Sequence, residues 1–277
     1  MLIDTQHTRT GQNSQPAPTH VKLTPEYRAK PWGRRDGLWA PDSAQPLGEV
    51  IFKSDTSGLV LKWLQTSEPL SVQIHPQRGP GRKHEWWYIA DAKPGAYLQL
   101  GLKESATPED IRRAAQDGSL PDMLRRIEPA VGDTFFVEAG TIHALGPGLT
   151  VVEVQEPSDV TWRLFDYGRP RELHLDQALQ EAILDPQPLT PMPNGTAPFQ
   201  ITHEMLAPDQ RSMLVAPRAS VMVAEGRGSF GTEPYAPHQC WDFTDAMPVH
   251  TTEPTVLILA EPVASSTDDE TLWRARK

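Results

Sequence analysis

Leu70-Ser71-Val72-Gln73-Ile74-His75 alternates apolar and polar side chains over six residues. A strand turns successive side chains to opposite faces, so Val72 and Ile74 point one way and Ser71, Gln73 and His75 the other. If the polar face is turned into a barrel, its tips need a partner there. Upstream, Leu59-Val60-Leu61-Lys62-Trp63-Leu64 is an apolar run with β-branched and aromatic content, the composition of a strand. Downstream, residues 85–90 (EWWYIA) and 96–102 (AYLQLGL) are two more strand candidates, separated by the turn residues Lys93-Pro94-Gly95.

Strands are also expected over 133–137, 150–154, 159–165, 213–215, 220–224 and 256–260. A helix is expected after Thr107, with Thr107 as N-cap, Pro108 in the first turn, Glu109 and Asp110 at the positive end and Gly118 as the stop. Residues 121–127 read as a second short helix. Residues 174–184 (HLDQALQEAIL) read as a third, with an apolar stripe at Leu175, Ala178, Leu179 and Ile183. The chain has 28 prolines and 19 glycines in 277 residues, punctuation that suits short strands and turns better than long helices. The expected fold is mainly antiparallel β. It is a jelly-roll barrel with a few inserted helices, followed by a smaller C-terminal β module, a candidate second partial barrel. The expected organisation is a disordered leader over 1–20, a metal-binding barrel with its helical insert over 21–185, a proline-rich linker over 186–197 and the smaller module over 198–277.

The formal net charge is -10. Such a surface repels nucleic acid and anionic membranes, so neither is an expected partner. It also repels anionic metabolites, so a phosphate-binding site must carry its own Lys and Arg. Arg78, Arg82, Lys83, Arg163, Arg169 and Arg171 are the candidates. Cys240 is the single cysteine, which excludes an intrachain disulfide and fits a reducing compartment. The first 20 residues lack the apolar core of a signal peptide, and no apolar run approaches the ~20 residues that span a bilayer. A cytoplasmic location is expected; the sequence carries no signal of oligomeric state.

Gln73, His75, Glu85 and His143 form a dispersed set of metal-ligand types. Two imidazoles and two oxygen donors without a thiolate suit a site that keeps a position open for water or substrate. Zinc (Zn2+, one per chain) leads; nickel, cobalt, manganese and iron share these ligand types. Taken singly, a Gln/His pair two apart on a strand, or one His in a turn, is commonly no more than a polar surface group. The order and context of all four are what carry the reading.

That order resembles the type I mannose-6-phosphate isomerases, or phosphomannose isomerases, of the cupin superfamily, over roughly residues 25–185. Lys30-Pro31-Trp32-Gly33, followed by Gly48-Glu49, resembles the family's opening. Leu70 to Pro76 resembles its first metal motif and Lys83-His84-Glu85-Trp86-Trp87-Tyr88-Ile89 its second. Gly132-Asp133-Thr134-Phe135 and Ala139-Gly140-Thr141-Ile142-His143-Ala144-Leu145 resemble the third. Residues 153–169 (EVQEPSDVTWRLFDYGR) resemble the long signature that holds the active-site arginine. The resemblance implies that Gln73, His75, Glu85 and His143 are the zinc ligands. It implies Arg163 as the active-site arginine, Lys83 as the active-site lysine and Glu153 as an acidic group near the sugar. The chain departs from the family in the short basic loop Pro76 to Arg82, in Glu138 for a usual proline, in Trp162 for a usual tyrosine, and in Gly48-Glu49-Val50-Ile51. The spacing from Glu85 to His143 leaves no room for the large helical insert of longer members, which implies the short bacterial form.

The implied activity is interconversion of mannose 6-phosphate and fructose 6-phosphate through a metal-assisted enediol. The partner is then a small sugar phosphate. Lys83 and Glu153 are both candidates for the general base. Arg163, with a pKa far above neutrality, suits charge stabilisation instead. Two other readings stand beside this one: a non-catalytic, metal-containing sugar-phosphate-binding cupin, and a cupin isomerase or oxygenase with another substrate. Gln73, where cupin oxygenases present histidine, counts against the oxygenase. Trp63, Trp86, Trp87 and Trp162 are expected in the core rather than as a sugar platform.

Overall fold

The computed structural model describes residues 19–39, 45–192, 197–216 and 218–263. In chain order the first strands are β1 (His20–Lys22), β2 (Glu26–Arg34), β3 (Leu47–Lys53), β4 (Val60–Gln65), β5 (Val72–Ile74), β6 (Glu85–Ala92) and β7 (Leu98–Leu102). Helices α1 (Pro108–Asp117) and α2 (Leu120–Met123) follow, then β8 (Leu124–Ile127), β9 (Thr134–Val137), β10 (His143–Leu145), β11 (Leu149–Gln155), β12 (Trp162–Phe165) and helix α3 (Leu175–Glu181). The remainder is β13 (Phe199–Leu206), β14 (Arg211–Leu214), β15 (Ala219–Glu225), β16 (Gly228–Phe230), β17 (Glu233–Tyr235), β18 (Cys240–Phe243), β19 (Met247–Thr251) and β20 (Thr255–Pro262).

Four antiparallel sheets make two barrels. The first pairs a six-stranded sheet, β2-β3-β4-β11-β6-β9, with a five-stranded sheet, β12-β5-β10-β7-β8. The second pairs β1-β18-β15-β20-β13 with β14-β19-β16-β17. The mainly β architecture with a few helices is as the sequence predicts.

Side-chain alternation sorts the layers. Val72 and Ile74 of β5 join Ile111, Ala114, Leu164 and Ala178 in the core under the helices. The helices therefore cover the outer face of the five-stranded sheet, and Gln73 and His75 are left facing inward. In β11, Val151 packs inside the barrel with Trp87 and Leu98. Val152 and Val154 face out and pack with Trp63, Phe199, Met222 and Ile258, which joins the two barrels. All seven residues of β11 are buried, so Glu153 and Gln155 share the interior face with Val151. The second barrel has its own core of Val221, Phe230, Trp241, Phe243, Val249 and Leu259. A buried polar seam also links the barrels. Ser54 and Ser220 donate to the two carboxylate oxygens of Asp242, at 2.9 and 2.7 Å.

Local signals behave as their chemistry demands. Thr107 and Asp110 close a capping box on α1, and Gly118 ends the helix with φ 88°, a conformation glycine adopts without a Cβ penalty. Three expectations need correction. The stretch 121–127 is not one helix: α2 ends at Met123, and Leu124–Ile127 pairs with β7 instead. The third helix stops at Glu181 rather than running to 184. His20, read as the end of the leader, opens β1 and pairs with Phe243 of β18. The rest of the leader (1–18), part of the linker (193–196) and the C-terminal residues 264–277 lie outside the described residues.

Candidate active site

The first barrel brings two imidazoles and a carboxylate together, all buried: His75, Glu85 and His143. Pairing puts them there. Gln73 of β5 sits opposite His143 of β10 on one side and Arg163 of β12 on the other. Glu85, the first residue of β6, pairs with Gln155 of β11. His75 Nε2 lies 2.9 Å from Glu85 Oε1 and His143 Nε2 lies 3.9 Å from Glu85 Oε2.

The imidazoles are oriented from behind. His75 Nδ1 lies 3.0 Å from the carbonyl of Val160, and His143 Nδ1 lies 2.8 Å from that of Thr141. A carbonyl can only accept, so each Nδ1 carries its proton. Burial, with Lys83 adding to it, holds the His75 pKa down to about 4; burial also lowers that of His143. At neutral pH both rings are neutral and each Nε2 is a bare lone pair. His75 Nε2 makes no hydrogen bond, although it faces the Glu85 carboxylate. Two acceptors this close call for a positive species between them. The Glu85 carboxyl is held well below its ordinary range: burial raises it, but the adjacent His75 imidazole and the Lys83 ammonium outweigh burial. Neutral imidazoles backed by carbonyls, plus an ionised carboxylate, fit a divalent metal ion.

Gln73 stands beside this group with Nε2 3.4 Å from His143 Nε2, while its Oε1 accepts from Ser71 Oγ at 2.9 Å. To offer oxygen to a metal its amide must turn over. Lys83 Nζ lies 3.0 Å from Glu85 Oε1. Glu153 is held by Lys62 Nζ at 2.9 Å and by Trp87 Nε1 at 3.1 Å. Burial and the charge of Glu85 raise the Glu153 pKa against the pull of Lys62.

These groups meet at a cavity of about 110 Å³ whose walls include Gln73, Lys83, Glu85, Glu153 and Arg163. Lys30, Glu49, Lys62 and Arg171 line it too. Five cations thus face three carboxylates, a positive excess in a chain of net charge -10. Most of the cations are already paired. Lys30 pairs with Glu49 at 3.0 Å, and Arg171 is gripped by both oxygens of Asp166 at 2.6 Å. Arg163 has no carboxylate partner among the described residues. It donates to the Glu172 carbonyl at 3.0 Å, and its buried Nε is unpaired. Of the cations proposed for phosphate, Arg78 is an exposed residue of the loop, Arg82 is tied to Glu156, and Arg169 to Asp166 and the Pro69 carbonyl. Only Lys83, Arg163 and Arg171 reach the cavity.

Sequence reading missed Lys30, Glu49 and Lys62. Lys30 and Glu49 lie in the quoted opening motifs, whose order was the available signal. Lys62 had none, since one lysine in an apolar run does not announce its burial. A larger cavity of about 420 Å³ lies at the junction of the barrels, lined by Trp63, Asp91, Glu225 and His238 among others. It holds none of the clustered residues, so the chemistry belongs to the smaller one.

Fold and site together define a class: a double-barrel β protein of cupin-like architecture with a buried His/Glu/His site in one barrel. No family model matches the chain. The mannose-6-phosphate isomerase of Streptococcus mutans is 30% identical over 211 residues, 66% of each chain. The mannose-6-phosphate isomerase ManA of Bacillus subtilis is 35% identical over 142 residues, 46% of this chain and 45% of that protein. The crystal structure of a Bacillus subtilis mannose 6-phosphate isomerase superposes with a TM-score of 0.75 at 22% identity, covering 88% of this chain and all of that one. A phosphomannose isomerase variant from Salmonella typhimurium gives 0.70 at 12% identity over 89% of this chain; both likenesses are of fold. The chain belongs to the type I mannose-6-phosphate isomerase family. Its sequence match spans less than half the length of the Bacillus subtilis relatives.

Proposed function

We propose that this chain is a zinc-dependent, cytoplasmic aldose–ketose isomerase that interconverts mannose 6-phosphate and fructose 6-phosphate. One observation carries the reading: the buried His75/Glu85/His143 group borders, through Glu85, a cavity lined also by Glu153 and by an arginine with no carboxylate ion-pair partner among the described residues. His75, Glu85 and His143 would hold the metal, with Gln73 as a fourth ligand through its amide oxygen. A bound zinc ion supplies Lewis-acid stabilisation of the charge that grows on the substrate oxygen.

The chain's own residues account for the rest. The proton leaves C2 of the aldose and returns at C1, while the hydroxyl hydrogen moves between the two oxygens. Glu153 is the group suited to carry the carbon-bound proton, because its pKa is moved up from the ordinary carboxylate range. Lys83 and Lys62 hold positive charge beside Glu85 and Glu153. Arg163 stabilises the enediolate oxygen or anchors the anionic substrate. The cavity is smaller than the ~300–1,000 Å³ of an ordinary ligand pocket. It takes the reacting end of the sugar, with the phosphate toward the mouth and its cations. The single, buried Cys240 supports the cytoplasmic assignment.

The test is a coupled assay with mannose 6-phosphate on zinc-loaded protein, chelated protein and Arg163→Ala. The expected result is activity that chelation abolishes and zinc restores, with the variant down by about 10²–10³ in kcat. Metal-replete protein with no isomerase activity overturns the reading.

A further inference from the structure

We infer that Gln155 is a positioning residue: its single carbonyl oxygen sets the two active-site ammonium groups, Lys62 and Lys83, relative to each other. The inference rests on the isomerase reading only for its kinetic consequence. Gln155 ends β11, opposite Glu85 on one neighbouring strand and Val60 on the other, and it is completely buried. Its Oε1 accepts from Lys83 Nζ at 3.3 Å and from Lys62 Nζ. Its Nε2 donates to the backbone carbonyls of Glu156 and Ser158, at 2.9 and 3.0 Å.

Those two carbonyls fix which way the amide faces. They have no hydrogens to give, so the NH₂ must point at them and the oxygen at the lysines. Turning the amide over would set oxygen against oxygen and NH₂ against two ammoniums. Each lysine also has a carboxylate: Lys62 pairs with Glu153 and Lys83 with Glu85. One oxygen with two lone pairs thus bridges the proton-carrying side of the cavity to the metal-ligand side. Like charges in a buried site repel strongly. Without the shared acceptor, each ammonium should withdraw toward its own carboxylate.

The experiment compares Gln155→Met, which keeps the length and volume but lacks the acceptor, with Gln65→Met. Gln65 is a second buried glutamine, whose Oε1 accepts from the Leu38 backbone N–H at 2.9 Å, and it does not line the cavity. Crystal structures of zinc-loaded wild type and Q155M are expected to show the Lys62–Lys83 Nζ separation widened by about 1 Å, a displacement large enough to matter for catalysis. In the assay, Q155M should lose about 10–100-fold in kcat, with KM within about threefold and metal content unchanged, while Q65M keeps its kcat. Gln155→Asn withdraws the amide by one carbon and serves, with the same expectations, if Q155M does not fold. Lysines that do not move, or a kcat for Q155M equal to that of Q65M, overturn the inference. If no form isomerises mannose 6-phosphate, the functional proposal fails, and the lysine positions alone still decide the role of Gln155.

Discussion

The two barrels are built alike and filled oppositely. The second closes on apolar side chains: Phe230 packs against Tyr235, Trp241 and Phe243, edge to face with the last two, with ring centroids 4.4–5.6 Å apart. The first buries Lys62, His75, Lys83, Glu85, His143, Glu153 and Gln155 in its interior. Burying charge is costly unless each group is paired and hydrogen-bonded. The first barrel meets that cost with paired lysines and carboxylates and with carbonyls behind its imidazoles. Stability and chemistry are separated between the barrels. One barrel contributes a compact core and the other holds a charged site that packing alone would not favour.

The largest expected effect breaks the charged barrel. Glu85→Ala removes a proposed metal ligand and leaves Lys83 buried beside two imidazoles. Zinc should no longer bind stoichiometrically, by metal analysis, and isomerase activity should fall on the order of 10³-fold, the scale of losing a group that stabilises charge. Phe230→Ala does the reverse. Denaturant melts should show a loss of about 3–5 kcal/mol, while the folded fraction keeps its metal and activity per molecule.

A pH titration sharpens the same contrast. The His75 pKa is about 4 in the folded chain and about 6.5 in the unfolded one. Between these values the unfolded chain binds more protons, so stability rises with pH through that window and falls as pH drops from about 6.5 to about 4. Chelated protein melted across that range should show the loss, and His75→Phe should make it smaller, leaving the part carried by the other buried imidazole, His143. The smallest effect lies outside both barrels. Thr107→Ala removes the cap of α1 and should cost about 1 kcal/mol with kcat unchanged.

Much of this was legible because β5 faces two different environments. Its alternation separated Val72 and Ile74, which pack under helices, from Gln73 and His75, which enter the site. The metal-ligand types were legible from their order and context. The interior lysine and glutamine were not, because β4 and β11 are buried on both faces. Such strands read as continuous apolar runs, and alternation fails as a guide. Lys62 and Gln155 therefore looked like incidental polar residues. β2 escaped notice because its pairing with β3 shifts register between Arg28 and Arg34, which breaks the period-two signal. The partnership of β1 with β18, more than 200 residues away, has no local signature at all.

The most direct test of the central claim is anomalous diffraction at the zinc edge from crystals of the zinc-loaded protein. One peak per chain is expected in the first barrel, about 2.0–2.2 Å from His75 Nε2, His143 Nε2 and a Glu85 oxygen, and none in the second barrel. A peak elsewhere, or a zinc-replete crystal with no peak at those three residues, would contradict it.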